Sequence, residues 1–143
     1  MGKAGIKQYR CPEILENSKY IGSKADIFSL GVILFNLSTG MYGFVTSKRN
    51  DIYYGYIVSN DSKRYWQKIG EHINISELSQ EFKDLYIQMV SYYPSKRPEL
   101  DDILHSEWMK EINDLNKNEN EIENELKDKL NDFYFILKKD NEN

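Results

Sequence analysis

The longest apolar run of the chain extends over residues 25–37 and has the sequence ADIFSLGVILFNL. Ser23 before it and Gly40 after it are residue types that often cap helices, so the run predicts a helix of about sixteen residues. Apolar side chains surround the helix axis, which is typical of a helix enclosed by other elements. A membrane span would need roughly twenty apolar residues, and polar residues such as Asp26 interrupt this run. We therefore expect a buried central helix.

A second helix is predicted to begin after Ser79, because apolar residues then recur at helical spacing. Pro94 and Pro98 bracket a short loop, after which one or two further short helices are expected. Residues 42–75 predict short helices and loops, and the alternating pattern typical of strands is nearly absent throughout. The chain is therefore predicted to be mainly α. The apolar positions that carry these later helices are Phe82, Leu85, Tyr86, Met89, Val90, Leu100, Ile103, Leu104 and Trp108.

The composition is that of a globular chain, since 40% of the 143 residues are hydrophobic and 29% are charged. This length suits one domain, at most with an extension. The single cysteine, Cys11, excludes an internal disulfide framework, and with only two histidines it excludes a multi-cysteine zinc site. The first ten residues lack the apolar stretch of a signal peptide. We expect a reducing, cytoplasmic location.

The charge is unevenly distributed along the chain. Residues 1–113 hold 14 acidic and 14 basic groups, whereas residues 114–143 hold 9 acidic and 5 basic groups. A neutral body gives no basic face for nucleic acid, so that class of partner is excluded. The acidic end keeps helical spacing and predicts an amphipathic tail helix. This helix is expected either to pack back on the body, to form a coiled coil with a partner or to act as a regulatory segment. Its apolar positions are Ile122, Leu126, Leu130, Phe133 and Leu137.

Three segments occur in an order that resembles the protein kinase family, Ser/Thr type. They are GIKQYRCPEIL near the start, GSKADIFSLGVILFNLSTG in the middle and SKRPELDDILHSEW near residue 100. They resemble the end of the activation segment with its A-P-E motif, here Cys11-Pro12-Glu13, then helix F, then the arginine loop between helices H and I. The resemblance covers about residues 5–112 and implies a mainly α fragment of a kinase C-lobe, with helices EF, F, G, H and I. Residues 113–143 are then an acidic helical extension.

Several residues acquire structural roles from this resemblance. Glu13 and Arg97 are either solvated surface charges or a buried bidentate pair, and the resemblance implies the pair. Asp26 reads from the sequence as part of a capping box with Ser23, whereas the family's matching Asp holds the catalytic loop to helix F. Ile33 and Leu37 match the positions on which the family's hydrophobic spine rests. Both residues are therefore expected to be core residues.

The segment Gly5–Arg10 resembles the loop that shapes the peptide site next to the phospho-acceptor. Where Ser/Thr kinases have Gly-Thr, this chain has Gly5-Ile6, so the hydroxyl that contacts the catalytic Asp is missing. Cys11 replaces the usual Ala and is read as a small buried hydrophobe, not a nucleophile. Phe28 replaces the usual Trp of helix F. The predicted substrate-loop residues are Gly5, Ile6, Tyr9 and Arg10.

The chain contains no G-x-G-x-x-G, no V-A-I-K-like strand, no H-R-D and no D-F-G. Phosphoryl transfer depends on those elements, so no catalytic, cofactor-binding or metal residue is assigned here. The resemblance implies the substrate-docking and scaffold part of a Ser/Thr protein kinase, inactive alone, whose complete parent would bind ATP and Mg²⁺. Expected partners are protein substrates, other proteins or the remainder of a kinase domain, but no membrane.

Two further expectations depend on the missing elements. The alternative function is a non-catalytic, pseudokinase-like interaction module, which ATP-analogue binding would distinguish from a kinase. The family packs helix F against helix E and the catalytic loop, which this chain lacks, so one side of the apolar helix is expected to be bare.

Overall fold

The protein is described by a computed structural model for residues 7–115. Gly5, Ile6 and the predicted tail helix therefore lie outside the described residues. The chain divides into two compact units, Met1–Trp108 and Met109–Asn143. Apart from helix Glu107–Leu115, most of which lies in the second unit, the features that follow belong to the first unit.

The described part of the chain is helical and contains no strand, which confirms the mainly α prediction. No helix within residues 7–115 is long and apolar enough to cross a bilayer. Short 3-10 turns lie at Lys7–Tyr9, Ile75–Glu77 and Pro94–Lys96. The α-helices are α1 (Pro12–Leu15), α2 (Gly22–Thr39), α3 (Tyr54–Val58), α4 (Ser62–Ile69), α5 (Gln80–Met89), α6 (Leu100–Leu104) and α7 (Glu107–Leu115).

Helix α2 is the predicted central helix, but it begins earlier than the sequence indicated. Its N-cap is Ile21, which makes no side-chain cap hydrogen bond. The predicted capping box of Ser23 and Asp26 is therefore wrong, because both residues already lie inside the helix. The other end follows the prediction: Gly40 has a left-handed φ of 72° and donates its N–H to the Asn36 carbonyl at 2.8 Å.

Helix α5 packs across one side of α2. Its N-cap is Ser79, whose hydroxyl accepts the Phe82 N–H at 3.2 Å, as the sequence predicts. The two helices approach closely at Gly31, where an added Cβ would lie 2.9 Å from the Cβ of Met89. Glycine at this position allows the contact. The predicted apolar positions of this region are all buried: Phe82, Leu85, Tyr86, Met89 and Val90.

Aromatic side chains fill the core between α2, α4 and α5. The rings of Phe35 and Tyr86 have centroids 4.7 Å apart, and Trp66 lies against both. The hydroxyls of Tyr65 and Tyr86 are 2.9 Å apart, and Tyr65 also donates to the Gly43 carbonyl at 3.3 Å. The buried tyrosine hydroxyls of the core therefore have hydrogen-bond partners.

The opposite side of α2 is exposed. Leu30, Ile33 and Leu37 are 40%, 42% and 64% accessible to solvent. Ile33 and Leu37 are thus not core residues here, and the expectation of a fully enclosed helix is wrong. The expectation of a bare side is confirmed, because the helices of the first unit cover α2 from the other direction.

One carboxylate organises the loop between α2 and α3. Oδ2 of Asp51 accepts the backbone N–H groups of Val45 and Thr46, and Oδ1 accepts those of Tyr53 and Tyr54, at 2.9–3.2 Å. A single side chain therefore ties the middle of the loop to the start of α3.

Candidate functional site: a buried ion pair and the segment beside it

Glu13 and Arg97 form a bidentate ion pair across 84 residues of sequence. The two guanidinium NH2 groups donate to Oε1 and Oε2 of Glu13 at 2.6 and 2.8 Å. Both residues are buried. Pro12 at the start of α1 sets the helical turn that carries Glu13, and Arg97 directly follows the 3-10 turn Pro94–Lys96. The pair therefore joins α1 to the loop before α6.

The remaining polar groups of the Arg97 side chain also have partners. Its Nε donates to the Ser91 carbonyl at 2.9 Å, and one NH2 group donates to the Lys24 carbonyl at 2.9 Å. The guanidinium carbon lies 5.0 Å from the centroid of the Phe28 ring, in cation–π geometry. Since each guanidinium nitrogen donates at least one hydrogen bond, burial of the charge is compensated.

The pKa of Glu13 is the balance of two opposed effects. Burial alone would raise it, because a carboxylate away from water is poorly solvated. The hydrogen bonds and positive charge of Arg97 act in the other direction and prevail, so the pKa lies below its usual value. Glu13 is therefore ionised at neutral pH and is a structural group, not a proton donor.

Lys24 supports this pair from α2. Its ammonium donates to the Arg97 carbonyl at 2.8 Å and forms a salt bridge with Glu99 at 2.5 Å. Sequence reasoning missed Lys24 and Ser91. The Lys24 side chain binds a backbone carbonyl, and Ser91 contributes only its own backbone carbonyl. Neither contact has a residue-type signal.

Cys11 precedes the pair and is completely buried. Burial raises the pKa of its thiol to about 11, although a hydrogen bond with the Ile14 backbone acts in the opposite direction. A protonated, inaccessible thiol is a poor nucleophile. This placement agrees with the interpretation of Cys11 as a small buried hydrophobe.

Two serines fix the backbone of the segment before the pair. The Ser29 hydroxyl donates to the Tyr9 carbonyl at 2.9 Å, and the buried Ser47 hydroxyl donates to the Arg10 carbonyl at 2.5 Å. Consecutive carbonyls are thus bound from α2 and from the loop that follows it. The serines were not identified from the sequence, since isolated serines are common on any surface.

The Tyr9 side chain is positioned by Tyr42. Their hydroxyls are 2.9 Å apart, and their rings meet edge to face with centroids 5.8 Å apart. The hydrogen bond with Tyr42 is the main cause that raises the pKa of Tyr9 to about 12, with burial adding to it. The ring is therefore a neutral, oriented group at the surface.

The structure brings together some of the predicted residues and separates others. Tyr9, Arg10, Cys11, Pro12, Glu13 and Arg97 form one continuous region through the contacts above. Asp26 is exposed on α2. The exposed Ile33 and Leu37 lie further along the same helix.

The sequence matches the family described as "Protein kinase domain" over residues 2–109. It is 31% identical over 123 residues to serine/threonine-protein kinase kin-29 of Caenorhabditis briggsae, which is 86% of this chain and 14% of that protein. The probable serine/threonine-protein kinase CCRP1 of Zea mays is 31% identical over 79% of this chain and 17% of its own length. Developmentally-regulated protein kinase 1 of Dictyostelium discoideum is 34% identical over 76% of this chain and 14% of its own length. The chain thus spans 14–17% of these relatives.

Proposed function

The chain belongs to the protein kinase family, and on this premise we propose that it is the substrate-docking and scaffold part of a serine/threonine kinase. In the complete protein, ATP would donate its γ-phosphate to hydroxyl groups of protein substrates, with Mg²⁺ bound outside this chain. A cytoplasmic location belongs to the same proposal, supported by the unpaired, buried thiol of Cys11.

The Glu13–Arg97 pair is the observation that carries the proposal. It fixes α1 to α2 and to the loop before α6, and thereby fixes the segment Lys7–Arg10 that precedes α1. Phosphoryl transfer depends largely on positioning, because the protein must align the acceptor hydroxyl with the phosphate. A rigid frame under the segment beside the acceptor is what such a reaction requires from this part of the molecule.

The 143 residues do not contain the residue patterns that bind ATP or the catalytic base. We therefore propose that this chain alone transfers no phosphate. A non-catalytic interaction module is the second candidate function. Ile6 in place of the family's Thr and the exposed apolar side of α2 favour it, because both suit a protein that binds without catalysing.

The test uses the native protein, purified from its own cells with an antibody against residues 116–143. Its intact mass is measured first, and then transfer from radiolabelled ATP to casein and binding of a fluorescent ATP analogue. We expect a mass above 16.9 kDa, analogue binding and transfer. The recombinant 143-residue chain is expected to be inactive in the same assays.

Two outcomes would count against the kinase proposal. A native protein of larger mass that neither binds the analogue nor transfers phosphate would establish the interaction module instead. Phosphate transfer by the recombinant chain would contradict the assignment of scaffold and docking roles to these residues.

A further inference from the structure

We propose that a cavity between α4 and α5 binds a glutamate or aspartate side chain of a partner protein, which makes it a docking site for an acidic peptide. The cavity is formed by one face of α4, one face of α5 and the start of the 3-10 turn Ile75–Glu77. No residue of the segment Lys7–Arg10 or of the Glu13–Arg97 pair lines it. The inference therefore goes beyond the proposed function and does not depend on it.

Helical spacing forms the two walls of this cavity, because residues three or four positions apart share one face of a helix. Ser62 and Trp66 on α4, and Gln80 and Asp84 on α5, are pairs at this spacing that line the cavity. Its volume is about 480 Å³, and ligand sites run from roughly 300 to 1,000 Å³. The cavity is therefore large enough for one side chain together with part of the main chain that carries it.

Two lysines on the lining have no counter-ion. The ammonium groups of Lys63 on α4 and Lys83 on α5 make neither an ion pair nor a hydrogen bond within residues 7–115. Lys83 is half-buried, so its charge has lost part of its hydration without gaining a partner. The acidic residues nearby already have partners: Asp61 caps α4 and pairs with Arg64 at 3.4 Å, and Asp84 accepts the Gln80 amide at 2.8 Å. An anion from outside the chain would supply the missing interaction.

The net charge of the lining favours a carboxylate over a phosphate. Lys63 and Lys83 carry two positive charges and Asp84 carries one negative charge, which leaves a single positive charge. A glutamate or aspartate side chain neutralises that charge, whereas a phosphate group has about 1.5–2 negative charges at neutral pH and would repel Asp84. Among the described residues, the lining contains no arginine, the residue that binds phosphate through two parallel hydrogen bonds.

Trp66 supplies a hydrogen-bond donor that is fixed in place. Its ring lies against Phe35 and Tyr86, with centroid distances of 6.1 and 5.7 Å, and the residue is only 8% exposed. The indole N–H makes no hydrogen bond to any residue in the described part of the chain. A buried donor without a partner costs free energy, so an acceptor atom of a ligand is favoured there.

Neutral polar groups on the lining suit the main chain of a peptide. The Ser62 hydroxyl and the Gln67 amide make no hydrogen bond to another described residue, and the Gln80 side-chain oxygen keeps its acceptor capacity while its NH2 group donates to Asp84. These groups offer both donors and acceptors, which the N–H and C=O groups of a peptide require. The combination favours an acidic residue within a peptide over a free carboxylate.

The test follows the indole N–H signals of the two tryptophans by NMR in the full chain, with assignment by Trp108→Phe. The probes are the peptides Ac-Gly-Gly-Glu-Gly-Gly-NH2 and Ac-Gly-Gly-Gln-Gly-Gly-NH2, sodium acetate and sodium phosphate. We expect the glutamate peptide to shift the Trp66 signal saturably, and the other three probes to leave it unchanged at the same concentration. The Trp108 signal should stay constant, because Trp108 does not line the cavity.

Lys83→Gln and Lys19→Gln are matched variants, since each removes one positive charge and only Lys83 lines the cavity. Lys83→Gln should weaken binding of the glutamate peptide by at least about tenfold, and Lys19→Gln should leave it unchanged. Retention of the Trp108 signal shows that each variant is folded.

Four outcomes would overturn the proposal: no shift with the glutamate peptide, equal shifts with the two peptides, equal effects of the two variants, or binding of acetate or phosphate as tight as that of the glutamate peptide. The last outcome would indicate a site for small anions only. None of these outcomes bears on ATP binding or phosphate transfer by the native protein, so a failure here is distinguishable from a failure of the proposed function.

Discussion

The two sides of α2 are similar in sequence and opposite in environment. On one side Phe28, Val32 and Phe35 are at most 3% exposed. On the other side Ile33 and Leu37 are 42% and 64% exposed, although they are equally apolar. The amino-acid types along the helix do not distinguish the two sides.

The covered side of α2 is therefore determined by the residues that later segments of the chain pack against it, and not by the apolar pattern of the helix itself. The absence of a side chain at Gly31 lets α5 pack closely against α2. Arg97 lies over the Phe28 ring and pairs with Glu13. On the covered side of α2, the Glu13–Arg97 ion pair therefore packs at one end, and the close contact with α5 lies in the middle. The bare side has neither within the described residues.

Arg97→Ala tests the ion pair at one end of the covered side and should have the largest effect on stability. It leaves the Glu13 carboxylate buried without its partner, which we expect to lower the free energy of unfolding by about 3–5 kcal/mol. Chemical denaturation of the full chain measures the change. Lys96→Ala is the control, since Lys96 is exposed; a similar loss in the control would show that the pair is not what stabilises this end.

The same pair predicts a pH dependence with a defined sign. Because the pKa of Glu13 is lowered from 4.5 in the folded protein, its contribution is present above that value. It is lost as the pH falls through the lower, folded pKa. Glu13→Gln should therefore remove part of the acid destabilisation seen in urea melts between neutral and acidic pH. An unchanged pH profile would contradict this.

Gly31→Ala tests the close helix contact. The new Cβ would lie 2.9 Å from Met89 Cβ and 3.0 Å from Val90 Cγ1, so we expect overpacking to cost about 1–3 kcal/mol. Gly22→Ala, where nothing lies within 4 Å of the new atom, should be neutral or stabilising. Thermal melts of both variants measure the difference in Tm, and equal Tm shifts would contradict a close contact between α2 and α5 at Gly31.

Ser79→Ala tests the start of α5, the helix that covers α2. Loss of the hydroxyl that caps Phe82 should cost about 1 kcal/mol. Ser23→Ala should change the free energy of unfolding by no more than about 0.5 kcal/mol, because Ser23 lies inside α2 and is exposed. Urea denaturation of the two variants compares the predicted caps directly, and a larger loss for Ser23→Ala would restore the rejected capping box.

Leu37→Gln tests the bare side and should have the smallest effect on folding. Leu37 is 64% exposed, so we expect the free energy of unfolding to change by at most about 0.5 kcal/mol. Self-association of the chain, measured by sedimentation velocity, should decrease because an apolar patch is reduced. A loss of stability comparable to that of Gly31→Ala would show that this side is packed after all.

Local patterns predicted the helices well but not all of their ends. The apolar spacing identified α2 and α5, and Ser79 and Gly40 were predicted as caps from their residue types. Ser23 failed as a cap because α2 continues one residue beyond it, to Gly22, and the Ile21 carbonyl accepts the Ala25 N–H at 3.0 Å. Backbone hydrogen bonds of this kind need no particular side chain, so the sequence does not signal them.

The site was predictable only where residue types are unusual for their surroundings. Glu13 and Arg97 are charges in apolar or proline-rich sequence, and the family resemblance then paired them. Ser29 and Ser47 bind carbonyls and leave no such signal. Each of these contacts joins residues 20 or 37 positions apart in the sequence, so no local pattern reveals it.

The single carboxylate of Asp51 has a consequence for motion. This carboxylate accepts the backbone N–H groups of Val45, Thr46, Tyr53 and Tyr54. Because one side chain holds all four amides, a fluctuation that releases it frees them together. The middle of the loop and the start of α3 therefore depend on the same carboxylate, which couples their local stability.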